Sequence, residues 1–492
     1  MKNILKGSII FTLILLLNGC TKDDWMNPAP TTSLSDLTVF DTKDRIVAQV
    51  NGMYASLKSG QHLGGRFQVY NDVRCDNFAP NSSNLVTCYA TRNHTVISST
   101  NEIQNLWGAV YSTINVVNVF LEGLKTAWDE GKITGFVTQA EYDQYRSEAL
   151  TIRAICYFDL IQMYSKPYHM NSGSGQGVPL RLVANKSAGG NDMAPSTVAE
   201  VYTQILKDLN DAEPLAILTH GNTSLNITRV HKNTIIAYKT RVYLHMQDWA
   251  QVVTESGKIV PAAAPFTATS GVAHTLNPNY ANIFATPNAS AESILSLPMT
   301  SSSNAGTQNH LAHYFGSGSG ESYYLISGAG SVVAAMNATD ARRVMMATVG
   351  GQVYLTKYRD QTTRTDYPPV IRYAEVLLNR AEAIARSGSA VTQAAVDLLN
   401  AVRTRSYAAG AYALGDFANV AAFYDAILLE RNMEFLGEGI RNLDLMRLGL
   451  TIPGKNGGTF GTVAAIPTTS ESYYWPVPVS ELSYNLLMTP DN

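Results

Sequence analysis

The chain has 492 residues, 45% of them hydrophobic, and a formal net charge of −3. That length supports one large domain or two ordinary ones around a substantial core, and the lack of any basic tract argues against a nucleic-acid partner. Charged residues make up only 15%, against about a quarter in average proteins, while tyrosine reaches 26. A surface rich in Tyr, Asn, Ser and Thr but poor in charge suits neutral polar ligands better than phosphates.

In chain order, the first element is a leader. Lys2 and Lys6 precede an apolar run from Ser8 to Leu17 that is too short to span a bilayer. Leu17-Asn18-Gly19-Cys20, followed by Thr21-Lys22-Asp23-Asp24, reads as a bacterial lipobox with an acidic trailer. Residues 1–19 are therefore expected to be a cleaved signal peptide, Cys20 the acylated N-terminus, and 20–40 a polar tether broken by Pro28 and Pro30. The body would then be held at a membrane by lipid and work outside the cytoplasm. Of the remaining cysteines, Cys156 falls on an apolar stripe as a buried thiol. Cys75 and Cys88 lie close together in an oxidising compartment that permits a bridge, which spacing alone does not establish.

Amphipathic helices follow. Ile103, Leu106, Val110, Ile114, Val117, Leu121 and Leu124 recur at spacings of three and four, on one helical face. Ala149, Ile152, Cys156, Leu160 and Met163 mark a second long helix, Val198 to Leu215 a third, and 229–259 two more, broken near Gln247-Asp248. From Pro261 to Asp366 the chain turns rich in Gly, Ser, Thr and Asn, with short apolar runs at Ser293 to Leu297 and Gln352 to Tyr354; this reads as loops with a few strands. Periodicity then returns. Asp366 and Pro368-Pro369 are expected to start a helix with the face Ile371, Ala374, Leu378, Ala381, Ala385, ended by Gly388. Val391, Ala395, Leu398 and Val402 form the next. The fold expected is mainly α: tetratricopeptide-like helix pairs forming a frame, with a loop-rich region containing a few short strands.

Several segments resemble the SusD/RagB family of outer-membrane nutrient-binding lipoproteins. Residues 367–383 (YPPVIRYAEVLLNRAEA) are similar to that family's RYAEVLLNYAEA helix, and 398–405 (LLNAVRTR) to its LNxVRxRA helix. Residues 430–447, from Glu430-Arg431 through Glu438-Gly439 to Asp444-Leu445 and Arg447, resemble its ERxxELxxEGxRxxDLxR run, and Trp475-Pro476-Val477-Pro478 its WPIP. Arg153 to Leu160 is similar to the RAYYYFDL helix, and Gly177-Val178-Pro179-Leu180 to the proline turn after it. The matches keep the family's order over most of the mature chain; the last residues, 484–492, lack its common QNPGY ending. The resemblance implies a single SusD-like domain over 41–492, with an N-terminal helical part (41–260), a variable loop-rich part (261–366) and a C-terminal helical part (367–492). It also implies a cell-surface binding protein that captures an oligosaccharide and delivers it to a SusC-like TonB-dependent transporter. Anchorage would be at the outer membrane, facing the exterior, with no cofactor and no catalysis. Two alternatives are a peptide-binding RagB-like protein and a surface glycoside hydrolase.

A sugar site needs aromatic faces for C–H surfaces and amide, carboxylate or guanidinium groups for hydroxyls. Two loop segments hold both. Residues 66–94 contain Arg66, Tyr70, Asn71, Arg74, Asp76, Asn77, Asn81, Tyr89, Arg92 and Asn93; residues 304–324 contain Asn304, Gln308, Tyr314, Phe315, Tyr323 and Tyr324. The resemblance places ligand contacts in loops from these parts of the chain. The candidates are Tyr70, Asp76, Asn77, Tyr89, Arg92, Gln308, Tyr314, Tyr323 and Tyr324, with Tyr89, Tyr314 and Tyr323 first. Glu430, Glu434 and Glu438, at i, i+4 and i+8, read instead as one helical stack neutralised by Arg403, Arg405, Arg441 and Arg447; a glycosidase would place two carboxylates across a cleft. His310 and His313 have ligand-like spacing without a third partner, and no metal is expected.

Overall fold

The computed structural model describes residues 38–490, except 82–86, 188, 287 and 389. The signal, Cys20 and most of the tether lie outside the described residues. The first helices are α1 (Lys43–Leu57), α2 (Arg66–Val73) and α3 (Tyr89–Asn93), with strand β1 (Phe78–Pro80) between the last two. Two long helices follow, α4 (Asn101–Asp129) and α5 (Gln139–Tyr164), then α6 (Val198–Ala212), α7 (Thr223–Thr228), α8 (Lys232–Met246) and α9 (Trp249–Ser256). The middle region holds β2 (Ser293–Ser296), α10 (Leu311–Phe315), β3 (Tyr323–Leu325), α11 (Val332–Ala335), β4 (Met346–Val349), β5 (Gln352–Leu355) and β6 (Pro369–Arg372). The C-terminal part comprises α12 (Tyr373–Ser387), α13 (Gln393–Ser406), α14 (Val420–Glu434), α15 (Arg441–Arg447), β7 (Lys455–Asn456), β8 (Thr462–Val463) and α16 (Val479–Tyr484).

The helices start where local chemistry satisfies their first amides. Thr138 with Glu141 and Thr197 with Glu200 form reciprocal capping boxes at the heads of α5 and α6. Asp248 caps α9 immediately after Gln247 takes the left-handed conformation (φ 59°) that closes α8, so the expected break at 247–248 is a cap-to-cap junction. On α4, Ile103, Leu106, Val110, Ile114, Val117 and Leu124 are all buried. Helix α5 is buried on every side from Ser147 to Tyr164. It packs on α4 and α6, α1 packs on both α4 and α5, and α8 pairs with α9. In the C-terminal part α12 pairs with α13 and packs against α8, α9 and α14, which joins both halves of the frame in one core. This is the mainly α, tetratricopeptide-like architecture read from the sequence. No helix among the described residues is long and apolar enough to cross a membrane.

The middle region supplies the strands. β1, β3, β5 and β4 form one sheet in that order, β2 pairs with β6, and β7 with β8, all antiparallel. The β2–β6 pairing corrects one expectation. Pro368-Pro369 does not open the helix: Pro369–Arg372 is strand β6, and α12 begins at Tyr373. A residue before proline is driven to extended backbone, and here the extended run continues because β2 is there to pair with it. Ile371 is therefore a strand residue, while Ala374, Leu378, Ala381 and Ala385 form the buried helical face.

The charged signature residues lie at the junction between this region and the C-terminal helices. Glu430 and Glu434 share α14, but Glu438 sits beyond its end, in a turn whose Gly437 and Gly439 have φ of 81° and 77°. A Cβ on Gly439 would meet the Gln68 Cα at 2.6 Å. Arg403 and Arg405 do neutralise the stack, to Glu430 at 3.0 Å and Glu434 at 2.6 Å. Arg441 and Arg447 do not; they pair with Asp76, and with Glu382 and Asp444. Their places are taken by Arg342 on Glu430 (2.5 Å), Arg372 on Glu434 and Glu438 (3.0 and 2.8 Å) and Lys357 on Glu438 (2.7 Å). Burial alone would push the Glu434 carboxyl up. Arg405, Arg372 and Arg342 overcome that and hold it well below the usual carboxylate range. Cys75, Cys88 and Cys156 are all buried free thiols, so the permitted bridge is not formed.

Candidate functional site

The two segments read as loops in the sequence are partly helical, holding α2 and α3 in the first and α10 in the second, and they meet edge to edge. β1 belongs to the first and β3 to the second, and they pair in the register Phe78 with Leu325, Ala79 with Tyr324 and Pro80 with Tyr323. Asn81 extends the ladder by donating its backbone N–H to the Ser322 carbonyl at 2.9 Å. Side chains alternate across a strand, so neighbouring Tyr323 and Tyr324 take opposite fates. Tyr323 is buried, whereas Tyr324 stays half-buried.

Helix α3 brings Tyr89, Arg92 and Asn93 to the same rim. Its five residues are bounded by Cys88 and His94, both at φ 61°, a left-handed conformation that non-glycine residues hold only when surroundings impose it. Two such surroundings are visible. The Glu102 carboxylate accepts the Thr91 backbone N–H at 3.1 Å, and the His94 ring lies between the carbonyls of Arg74 (2.8 Å) and Ala464 (3.0 Å). Burial and the nearby Lys455 push His94 down to about 4, against the pull of the two carbonyls that face its ring nitrogens.

A third segment completes the rim, and sequence reading did not single it out. The β7–β8 hairpin turns through Gly457, Gly458 and Gly461. The Arg92 guanidinium donates to Asn93 Oδ1 (2.6 Å), to the Phe460 carbonyl (3.4 Å) and to the Gly461 carbonyl (3.5 Å). A Cβ on Gly457 would fall 1.8 Å from its Nη2, and one on Gly458 would lie 3.3 Å from the Tyr324 hydroxyl. The local signal was Asn456-Gly457-Gly458, a turn signature between short extended runs.

The candidates thus divide by exposure. Tyr70 is fully buried against Trp475, with ring centroids 5.2 Å apart. Tyr314 is fully buried, its hydroxyl donating to the Gln308 carbonyl at 2.7 Å, and Asn77 is buried against Asn432 at 2.7 Å. Arg92 is buried beneath the hairpin. These five (Tyr70, Asn77, Arg92, Tyr314 and Tyr323) are buried and present no face to a ligand. Tyr89, Tyr324 and Asp76 are half-buried, and Gln308 is exposed. Asp76 is occupied by Arg441, in two contacts of 3.2 Å. The Tyr324 ring lies 6.4 Å from Tyr354, whose hydroxyl donates to Gln352 and accepts from Asn81; the buried Asn81 Oδ1 has no partner among the described residues. The accessible chemistry is therefore two tyrosine faces, Tyr89 and Tyr324, among amides. His313 pairs with Glu321, and among the described residues no group of His, Cys, Asp and Glu is arranged to hold a metal.

Comparison with known proteins places this architecture. Residues 24–244 match a family model described as starch-binding and associating with the outer membrane, and residues 312–492 match the SusD family model. A SusD-like protein of Formosa agariphila is 24% identical over 278 residues, which is 55% of this chain and 48% of that protein, so the chain matches about half the length of this relative. A SusD superfamily protein of Bacteroides fragilis, known from its crystal structure, is 31% identical; the match covers 92% of this chain and 100% of that one, with a TM-score of 0.80. Surface glycan-binding protein A of Bacteroides thetaiotaomicron, solved with laminarihexaose, shares the fold at 18% identity and a TM-score of 0.69, over 92% of this chain and 99% of that one. With 92% of its length matched by the 31% identical Bacteroides fragilis relative, the chain belongs to the SusD family.

Proposed function

We propose that the protein is a cell-surface lipoprotein that captures a neutral oligosaccharide noncovalently and passes it to a SusC-like TonB-dependent transporter. In this reading Cys20 carries the lipid anchor at the outer membrane, and 41–492 acts as one SusD-like domain. The observation that carries it is the β1–β3 edge, where two tyrosine-bearing segments from distant parts of the chain present Tyr89 and Tyr324 among amide groups. Rings on a rigid frame receive the apolar faces of a sugar while amides orient its hydroxyls. Two facts support binding without hydrolysis. The stacked glutamates are consumed in buried ion pairs, and the bacterial neighbour described above binds laminarihexaose.

The peptide alternative has one observation in its favour. β4 is the outer strand of the four-stranded sheet, with two of its four residues exposed, where an extended chain could add. A glycan and peptide array probed with the soluble body from residue 21 onward decides between them. Retention of neutral oligosaccharides without shorter products after long incubation supports the proposal. Retention of peptides alone, or protein-dependent shortening of the sugar, overturns it.

A further inference from the structure

Away from the β1–β3 edge, a cavity of about 360 Å³ opens between α4, the segment 181–191 and the C-terminal helix α16. Its volume lies within the range of small-molecule sites, about 300–1,000 Å³. Its α4 wall includes the half-buried Tyr111, backed by the buried Trp107. Trp107 and Tyr111, one helical turn apart on α4, hold their rings 4.9 Å centre to centre at 45°. The lip is unusually exposed: Tyr484 is 86% accessible and Val183 76%, apolar surface that a folded chain ordinarily covers unless something else does.

The polar groups are fixed in advance. Glu481 accepts from Trp107 Nε1 (3.1 Å), Arg181 Nη2 (3.2 Å) and Asn485 Nδ2 (2.8 Å), and the same Arg181 guanidinium lies 5.9 Å over the Tyr111 ring. The pair cancels in charge, so the cavity offers hydrogen bonds without a net field. The Asn115 side chain clamps Asn185 through both backbone groups, at 3.1 and 2.7 Å. Asn185 is exposed at the rim, and its side-chain NH2 has no partner among the described residues. Flat rings, a neutralised acid–base pair and a free amide suit a neutral sugar; a phosphate or uronate would need uncompensated positive charge.

We propose that this cavity is a second saccharide-binding site, taking a neutral oligosaccharide independently of the β1–β3 edge. The proposal rests on the glycan-binding reading. Two sites on one rigid body would make a long polysaccharide bind more tightly than its fragments, through effective concentration alone.

Hydrogen-exchange mass spectrometry of the soluble body, with laminarihexaose and maltohexaose as probes, tests it. Exchange should slow in peptides covering 181–193 and 479–487 with at least one of the two sugars. Tyr484→Ala and Asn185→Ala, both at exposed positions and melting like wild type, should require about tenfold more sugar for the same protection. Unchanged exchange in those peptides with both sugars, or full protection in both variants, overturns the second site. Peptides covering 76–93 and 323–325 report on the β1–β3 edge in the same experiment, so failure of either site is seen separately.

Discussion

The Arg372 guanidinium and the Glu438 carboxylate meet side by side through two parallel bonds, Nε to Oε2 and Nη2 to Oε1, each 2.8 Å. Arg372 ends β6 and Glu438 lies in the turn after α14, so this fork ties the strand before α12 to the loop that leads into α15. Bidentate geometry is the strong form of such a pair, and Arg372 also reaches Glu434 and Glu292.

Glu434→Ala is expected to destabilise the fold and leave sugar affinity intact. It would strip a carboxylate from Arg405, Arg372 and Arg342 at once, leaving buried positive charge, at a cost of about 3–5 kcal/mol. Thermal melting and calorimetry on the same variant separate the two effects. Wild-type melting with lost binding would move Glu434 into the site.

The tyrosines should behave as two classes. Tyr89→Ala and Tyr324→Ala should cost about 2 kcal/mol or more in binding with little change in melting, as stacking rings do. Tyr314→Ala and Tyr323→Ala should cost about 3 kcal/mol of stability instead, because both rings are core. If all four variants bind as wild type does, the β1–β3 edge is not the site.

Gly457→Ala should weaken sugar binding severalfold through displacement of the hairpin. The added methyl would lie 1.8 Å from Arg92 Nη2 and 3.0 Å from the Gly461 carbonyl, and Arg92 is buried and hydrogen-bonded, so stability should fall as well, by about 1–3 kcal/mol. Equal affinities for the variant and wild type would remove the hairpin from the site.

The buried histidines should withdraw stability as the pH falls below their ordinary value. Burial holds His231 down to about 3 and His274 to about 4, with His245 well below its ordinary value. A histidine with a depressed folded pKa favours folding above its unfolded value of about 6.5, and that contribution is lost as pH falls from there toward 4, because the unfolded chain takes up protons first. Below about 4.5 the depressed carboxyls of Glu382, Glu438 and Asp444 add to the loss. Asp72, pushed up to about 8 by burial, and the raised Glu102 and Asp159 act in the opposite sense over this window, so the histidine contribution is read as a difference: between pH 6.5 and 4.5 His274→Gln should lose less melting temperature than wild type. Parallel profiles for His274→Gln and wild type over this window would contradict the neutral burial of that ring.

Cys20→Ala should release the protein from the membrane fraction, since acyl chains would be its only apolar anchor. Palmitate incorporated into the alanine variant would refute the lipidation reading.

The helical frame and the texture of the middle region were legible in the chain alone, because helical periodicity and capping are local; the family was legible only through the resemblance of segments such as 367–383 and 430–447. Val110 and Ile114 lie on one face wherever the helix packs, and Thr197 with Glu200 closes a cap within four residues. Loop burial is not local. Tyr323 and Tyr324 are chemically identical neighbours, and only the pairing of β1 with β3 turned one into the core and left the other at the surface. Likewise, nothing near Glu438 in sequence announces Arg372 or Lys357, and nothing near Arg92 announces the hairpin at 457–461. Pro369–Arg372 became a strand for the same reason: its partner, β2, lies far away in the chain. Periodic patterns determined which elements exist; long-range pairing decided which side chains a ligand could reach.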